Sequence, residues 1–255
     1  MEHARRFSLE GQYALVIGGT SGIGKAIAAG MLDAGARIII AGRDAAKLDG
    51  AVKELSTRGE AFGLQADVSE FAALRGLVGA TLAEHGRIDT LVNCQGITTL
   101  KPAEDFTPAD WEAIIATDLK SVFFACTEVG RHMLGRGSGA IINIASLASH
   151  RGWPGSALYA IAKSGVFSLT QTLGAEWAAR GVRVNAISPG FVMTDLNQGK
   201  MSAQRKALAL ARTPSARFGQ VDEMVGAAIY LASPAAAFVT GQSIAVDGGF
   251  LAGGL

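Results

Sequence analysis

Tyr159 and Lys163 stand four residues apart in Tyr159-Ala160-Ile161-Ala162-Lys163, so on a helix they would share one face. A free phenol titrates near 10, and an ammonium held close to it favours the phenolate, which brings proton exchange nearer neutral pH. Thirteen residues upstream, Ser146 follows the apolar run Gly139-Ala140-Ile141-Ile142-Asn143-Ile144-Ala145, which reads as a buried strand. From there its hydroxyl could hydrogen-bond the oxygen that gains or loses the proton. A lone Tyr-x-x-x-Lys is a common surface pair, so the surrounding elements decide how much weight it carries.

Those elements begin with a phosphate cradle. Tyr13-Ala14-Leu15-Val16-Ile17 is a β-prone run, followed by Gly18-Gly19-Thr20-Ser21-Gly22-Ile23-Gly24 and a helical pattern from Lys25 to about Ala34 that Gly35 closes. Strand, glycine turn, helix is the order of a dinucleotide site. The glycines let the backbone approach a pyrophosphate, and the helix N-terminus offers unpaired N–H groups. The spacing Gly18, Gly22, Gly24 departs from the commoner G-x-G-x-x-G.

Further strands are expected near 37–41, 61–66, 88–92, 140–145, 182–187 and 243–246, with segments between them long enough for crossover helices. Thr107-Pro108-Ala109-Asp110 should start one helix, and Asp44 and Ser69 are candidate caps for two others. The alternation predicts an α/β fold: a doubly wound, Rossmann-like parallel sheet of about seven strands in a single domain spanning 1–255. Ligands of such sheets lie beyond the carboxyl ends of the strands where strand order reverses, which puts the Gly18 turn, Asn93–Gly96 and Ser146 on one rim.

Composition narrows the classes. The 255 residues are 49% hydrophobic and 18% charged with a net charge of +1, which argues against an electrostatic binder of nucleic acid or of a membrane surface. Cys94 and Cys126 are the two cysteines and have no metal-ligand spacing, so neither a disulfide scaffold nor a metal site is expected. The first residues carry charge with no apolar segment behind them, unlike a secretory signal. The uncharged stretch from Gly226 to Val246 contains Pro234 and suits a helix end, turn and strand better than a membrane span. Cytoplasm is the expected location.

Taken together these features resemble the classical short-chain dehydrogenase/reductase family over nearly the whole chain. The resemblance rests on the glycine turn, Ala66-Asp67-Val68, Asn93-Cys94-Gln95-Gly96, Ser146, Tyr159, Lys163, and Ser188-Pro189-Gly190 leading to Thr194. Thr240-Gly241-Gln242 and Val246-Asp247-Gly248-Gly249 extend it towards the C-terminus. It implies an NAD(P)-dependent oxidoreductase that interconverts a small-molecule carbonyl and a secondary alcohol. In that reading Tyr159 is the general acid/base, Lys163 favours its ionised form and holds the nicotinamide ribose, and Ser146 holds the substrate oxygen. The cofactor would be bound by Gly18, Thr20, Ser21, Gly22, Ile23 and Gly24 at the turn, by Asp67 and Val68 at the adenine, and by Asn93 and Gly96 at its middle. Pro189, Gly190, Val192 and Thr194 would serve the carboxamide and pyrophosphate. The cofactor site then falls mainly within 11–145 and the substrate loop at about 190–215.

Cofactor choice follows from the end of the second strand. Ile38-Ile39-Ile40 runs into Ala41-Gly42-Arg43, with no carboxylate where the family's NAD(H) enzymes hold the ribose hydroxyls. Arg43 is a fork suited to a 2'-phosphate, so NADP(H) is favoured over NAD(H). On the residues alone, Arg43 could instead pair with Asp44, and Asp67 could cap the turn after it.

The chain departs from the family pattern in two places. Ile17 stands where a Thr usually bonds the turn after the fourth strand, and Gln95 replaces a small Ala in that turn, so the two may compensate each other; Cys94 beside it reads as a small buried residue. More consequential is Asp118, in Ala116-Thr117-Asp118-Leu119-Lys120, where the family's Asn completes a catalytic tetrad by helping to hold a water next to the Lys.

Phe7-Ser8-Leu9-Glu10-Gly11, the segment 148–154 and the tail 246–251 look most like the gluconate 5-dehydrogenase group. The resemblance therefore implies a sugar acid or polyol as substrate. His150, Arg151 and Trp153 would floor its pocket, with Arg151 either receiving a carboxylate or lying at an interface. A 3-oxoacyl thioester reductase and a nucleotide-binding protein without turnover are the competing readings. A homotetramer built through helices within 107–134 and 157–180 is expected from the same resemblance.

Overall fold

The expected apolar runs become strands whose ends lie within two residues of the predicted ones. In a computed structural model that describes residues 2–194 and 202–253, β1 (Tyr13–Ile17), β2 (Arg37–Gly42), β3 (Ala61–Gln65), β4 (Thr90–Asn93), β5 (Gly139–Ile144), β6 (Val182–Pro189) and β7 (Ser243–Val246) form one parallel sheet. Its order is β3-β2-β1-β4-β5-β6-β7. Part of the expected substrate loop, 195–201, lies outside the described residues. The helices are α1 (Glu2–Arg5), α2 (Gly22–Asp33), α3 (Ala45–Leu55), α4 (Phe71–His85), α5 (Pro108–Ile115), α6 (Ser121–Arg136), α7 (Ala157–Trp177), α8 (Ala203–Arg212) and α9 (Val225–Ala232).

Both faces of the sheet are covered, which is why β2 reads as three successive isoleucines rather than an alternation. Leu15, Ile17 and Ile39 pack into a core with α4, α6 and α7, whereas Val16, Ile38 and Ile40 pack into a second core with α2, α3 and α9. Each such side chain taken out of water contributes about 1.5–3 kcal/mol. Strand order reverses between β1 and β4, and the cleft at that switch point is where a ligand belongs.

Capping chemistry decides where several helices begin. Thr107 accepts from Asp110 N while the Asp110 carboxylate accepts from Thr107 N, a reciprocal box that starts α5 with Pro108 in its first position. Asp44 caps α3 through Lys47 N. The expected cap at Ser69 does not form. Glu70 holds the N-cap position of α4, and the Ser69 hydroxyl is engaged instead by Asp67. Helix α2 starts at Gly22, three residues before the predicted Lys25, because the glycine turn itself winds into its first turn. Between α5 and α6 the chain inserts one π-helical turn, Ala116–Lys120, and Asp118 lies at its centre.

Candidate active site

A cavity of about 430 Å³ opens at the switch point, between the Gly18 turn and the ends of β2 to β6. Every predicted site residue lines it except Asn93 and Asp118. The glycine turn closes tightly on its helix: a Cβ at Gly24 would lie 2.2 Å from Gly18 O, and one at Gly18, where φ is +78°, would lie 2.8 Å from the Cys94 carbonyl carbon. Ser21 makes no side-chain cap bond and no acid occupies the first turn of α2, so the amides there face the cavity with nothing negative opposing an anion. These residues fit the pyrophosphate of a dinucleotide.

At the end of β3, Asp67 Oδ1 accepts from Ser69 N at 3.1 Å and from Ser69 Oγ at 2.7 Å. The Ser69 hydroxyl bond is the main reason the carboxyl lies below its ordinary range, against a smaller opposing effect of burial. Asp67 therefore caps the turn after it while its side chain still borders the cavity. Arg43 does not pair with Asp44, whose carboxylate is spent on Lys47 N. The carbonyl of Arg43 accepts from Gln65 Nε2 at 3.0 Å, and among the described residues its guanidinium has no ion-pair partner.

The catalytic candidates converge from β5 and α7. Lys163 Nζ donates to Ile144 O at 3.0 Å and lies 5.7 Å from the centre of the Tyr159 ring, as the four-residue spacing requires. Ser149 Oγ donates to Lys163 O at 2.8 Å, locking the turn after β5 onto α7. Ser146 Oγ accepts from Ala148 N at 3.1 Å, which leaves its O–H to donate to a substrate oxygen.

Asp118 sits beneath this group. Its side chain is fully buried, Oδ1 accepts from Ile97 N at 2.8 Å, and Oδ2 is 3.7 Å from Lys163 Nζ, an ion-pair separation without a tight hydrogen bond. A Cβ at Gly96 would lie 2.9 Å from that Oδ2 and 3.4 Å from Nζ, so the turn after β4 roofs the pair. Burial pushes the Asp118 carboxyl above its ordinary range, with Lys163 and the Ile97 amide pulling the other way.

Gln95 settles how this turn manages without the usual Thr at position 17. Its Nε2 donates to Ser121 Oγ at 2.9 Å, and Ser121 donates to Thr117 O at 2.5 Å. The turn is thus tied to the π-helical turn, while Ile17 is given over to the core. Asn93 points away from the cavity: Nδ2 donates to Asn143 Oδ1 at 2.9 Å, and Asn143 donates to Thr170, a buried chain joining β4, β5 and α7. Burial pushes the Cys94 thiol up to about 11 and that of Cys126 up to about 12, so both are inert at neutral pH.

On the expected pocket floor only Trp153 lines the cavity. His150 Nε2 hydrogen-bonds Ser188 Oγ, and the exposed Arg151 lies over the Phe250 ring with Nη2 donating to Leu251 O. Sequence reasoning missed Thr98, Ser156, Phe191 and Arg205, which complete the walls. Phe191 was within reach, as it directly follows Pro189-Gly190. Arg205 gives no signal, since it reads as one more arginine on a surface helix.

A parallel sheet with a glycine cradle at its switch point, and a Ser–Tyr–Lys group beside it, defines a Rossmann-type oxidoreductase of the carbonyl/alcohol class. Residues 18–251 match the family model described as Enoyl-(Acyl carrier protein) reductase. The chain belongs to the short-chain dehydrogenase/reductase family and is an NAD(P)-dependent alcohol dehydrogenase/ketoreductase. It is 40% identical to the D-threitol dehydrogenase of Mycolicibacterium smegmatis over 245 residues, 96% of this chain and 94% of that protein. To the gluconate 5-dehydrogenase of Gluconobacter oxydans it is 39% identical over 255 residues, 98% of each. The crystal structure of a gluconate 5-dehydrogenase from Burkholderia cenocepacia in complex with NADP and tartrate superposes with a TM-score of 0.94 at 40% identity, covering 98% of this chain and 99% of that one. Among the described residues, no helix is long and apolar enough to cross a membrane, and no three metal-ligating side chains gather.

Proposed function

We propose that the protein is an NADP(H)-dependent oxidoreductase that interconverts a carbonyl and a secondary alcohol on a sugar acid or polyol. The observation that carries this reading is the polar wall of the cavity, where Thr98 and Ser156, their hydroxyls hydrogen-bonded to each other at 3.2 Å, line the same cavity as Ser146 and Tyr159. Convergent hydroxyls suit a polyhydroxylated substrate better than an acyl chain. Relatives named for threitol and gluconate, and one solved with NADP and tartrate, support the same class.

Each residue then has a defined task. NADP(H), when bound, accepts or supplies the hydride at the reacting carbon. In reduction Ser146 donates to the carbonyl oxygen and Tyr159 hands it a proton, giving the alcohol; in oxidation Tyr159 takes that proton back. Lys163, fixed by Ile144 O, keeps a positive charge beside the phenol and reaches the nicotinamide ribose. Of the residues that line the cavity, Arg43 would receive the 2'-phosphate, Asp67 and Val68 would hold the adenine, Gly96 the ribose, and Pro189, Gly190, Val192 and Thr194 the carboxamide and pyrophosphate. A homotetramer is supported by the exposed Trp111, Phe123 and Ile161 on α5, α6 and α7. A cytoplasmic setting is supported by the two free cysteines.

A turnover screen tests the reading, with NADPH and NADH each offered against keto-sugar acids, ketoses and acetoacetyl thioesters. The sugar derivatives with NADPH should be fastest. Preference for the thioester would move the protein to the 3-oxoacyl reductases, and NADPH binding without any turnover would leave a nucleotide-binding protein.

A further inference from the structure

Among the described residues four charged side chains line the cavity, and three of them already have work. Arg43 and Asp67 stand at the ends of β2 and β3, on the adenosine side, and Lys163 is held by Ile144 O and Asp118. Arg205 remains. It is half-buried in the first turn of α8, where Ser202 caps the helix through the Arg205 amide, and no acidic side chain among the described residues pairs with its guanidinium.

Its position is fixed by a neighbour. A Cβ at Gly155 would lie 3.5 Å from Arg205 Nη1, and Gly155 directly precedes Ser156, the N-cap of α7. Tyr159 lies in the first turn of that helix, three residues after the N-cap. The guanidinium therefore stands beside the start of the helix that carries Tyr159 and borders the same cavity as Trp153, Ser156, Ser146 and Tyr159. A half-buried cation with no counter-charge among the described residues, next to a polar wall, is a receptor for an anionic group that the substrate must bring.

We infer that Arg205 receives the carboxylate of the substrate, so that the preferred substrates are polyhydroxy acids rather than neutral polyols. The inference rests on the sugar-derivative reading above and narrows it. The carboxylate lies a few carbons from the carbon that reacts at Ser146 and Tyr159, with the intervening hydroxyls against Thr98 and Ser156. Arg151, which the sequence left between this task and a place at an interface, is engaged with Phe250 and Leu251 and does not line the cavity.

The test is equilibrium binding to the NADP⁺-loaded protein, with gluconate and the six-carbon polyol sorbitol as probes, for wild type, Arg205→Ala and Arg205→Lys. Arg205→Ala should weaken gluconate about tenfold or more, the worth of one charge-assisted hydrogen bond, and shift sorbitol less than about threefold. Arg205→Lys should recover part of the loss, because it restores the charge without the fork. Equal weakening of both probes, unchanged gluconate binding, or a parallel loss of NADP⁺ affinity that would put Arg205 on the pyrophosphate, each overturns the inference. Turnover measured in the same samples separates the two claims. A wild type that binds gluconate through Arg205 yet oxidises neither probe sinks the proposed reaction and leaves the carboxylate site standing.

Discussion

The two halves of the cavity are built from different material. Around the glycine turn, positions are set by backbone against backbone: Gly24 against Gly18 O and Gly18 against the Cys94 carbonyl. On the substrate side they are set by side chains on loops and a helix, with Trp153, Phe191 and Phe250 packed at ring separations of 5.5–6.0 Å and Arg205 projecting from α8. A backbone-built half admits almost no substitution, while a side-chain-built half can be re-lined without moving the sheet. One scaffold can therefore keep a dinucleotide site and change substrates around it.

Removing the group that both halves serve should have the largest effect. Tyr159→Phe keeps the ring, so NADPH titration should be unchanged while turnover falls at least about a hundredfold; near-normal turnover would remove Tyr159 from its role. Next in size is Gly24→Ala, which tests the rigidity of the adenosine half. Overpacking there should cost about 1–3 kcal/mol, read as a Tm lower by several degrees, together with loss of NADPH affinity. An unaltered melting curve would mean the cradle gives way more easily than its contacts imply.

Arg43→Ala sharpens the same half at its edge. NADPH affinity should fall about tenfold or more and NADH affinity hardly at all, because only the former offers the 2'-phosphate. Equal losses in a fluorescence titration would make Arg43 a plain surface residue.

Asp118→Asn should do least to the maximal rate, changing it by less than about threefold. While ionised, Asp118 partly cancels the charge of Lys163, and its absence leaves that charge whole beside Tyr159. The rate profile for alcohol oxidation should then move towards lower pH. Burial raises the Asp118 carboxyl, so the native fold binds its proton more readily than the unfolded chain and loses stability as pH climbs through that window. The Asn variant should lack this decline, which thermal melts at several pH values will show. A wild type inert on every carbonyl and awakened by this substitution would mean that the carboxylate blocks the site.

The same division governs what could be read from sequence. Strands buried on both faces announce themselves as apolar runs, and the glycine turn and Ser146, Tyr159 and Lys163 have fixed spacings, so the backbone-built half was almost fully legible. Where side chains compete, local reading failed. Ser69 looked like a cap until Asp67 claimed its hydroxyl, and Arg151 could not be assigned between a carboxylate and an interface until Phe250 offered it a face. Gln95 finds its partner 26 residues away on α6, and Arg205 reaches the cavity only because α8 folds back over it; neither fact has a local signature.

The π-helical turn at Ala116–Lys120 gives the chain a different tolerance to shortening at two neighbouring places. A π turn is an α-helix carrying one residue too many. Excising one residue there would let α5 run straight into α6, with α5 still packed on α7 and α6 on the sheet, yet would withdraw Asp118 from beneath Lys163. Excising one residue inside α6 would turn everything after the cut by about 100° and lift Val129 and Met133 out of the core. The first lesion spares the fold and strikes the site, whereas the second strikes the core on which the site is built, so the surplus residue marks where this helix serves chemistry and not packing.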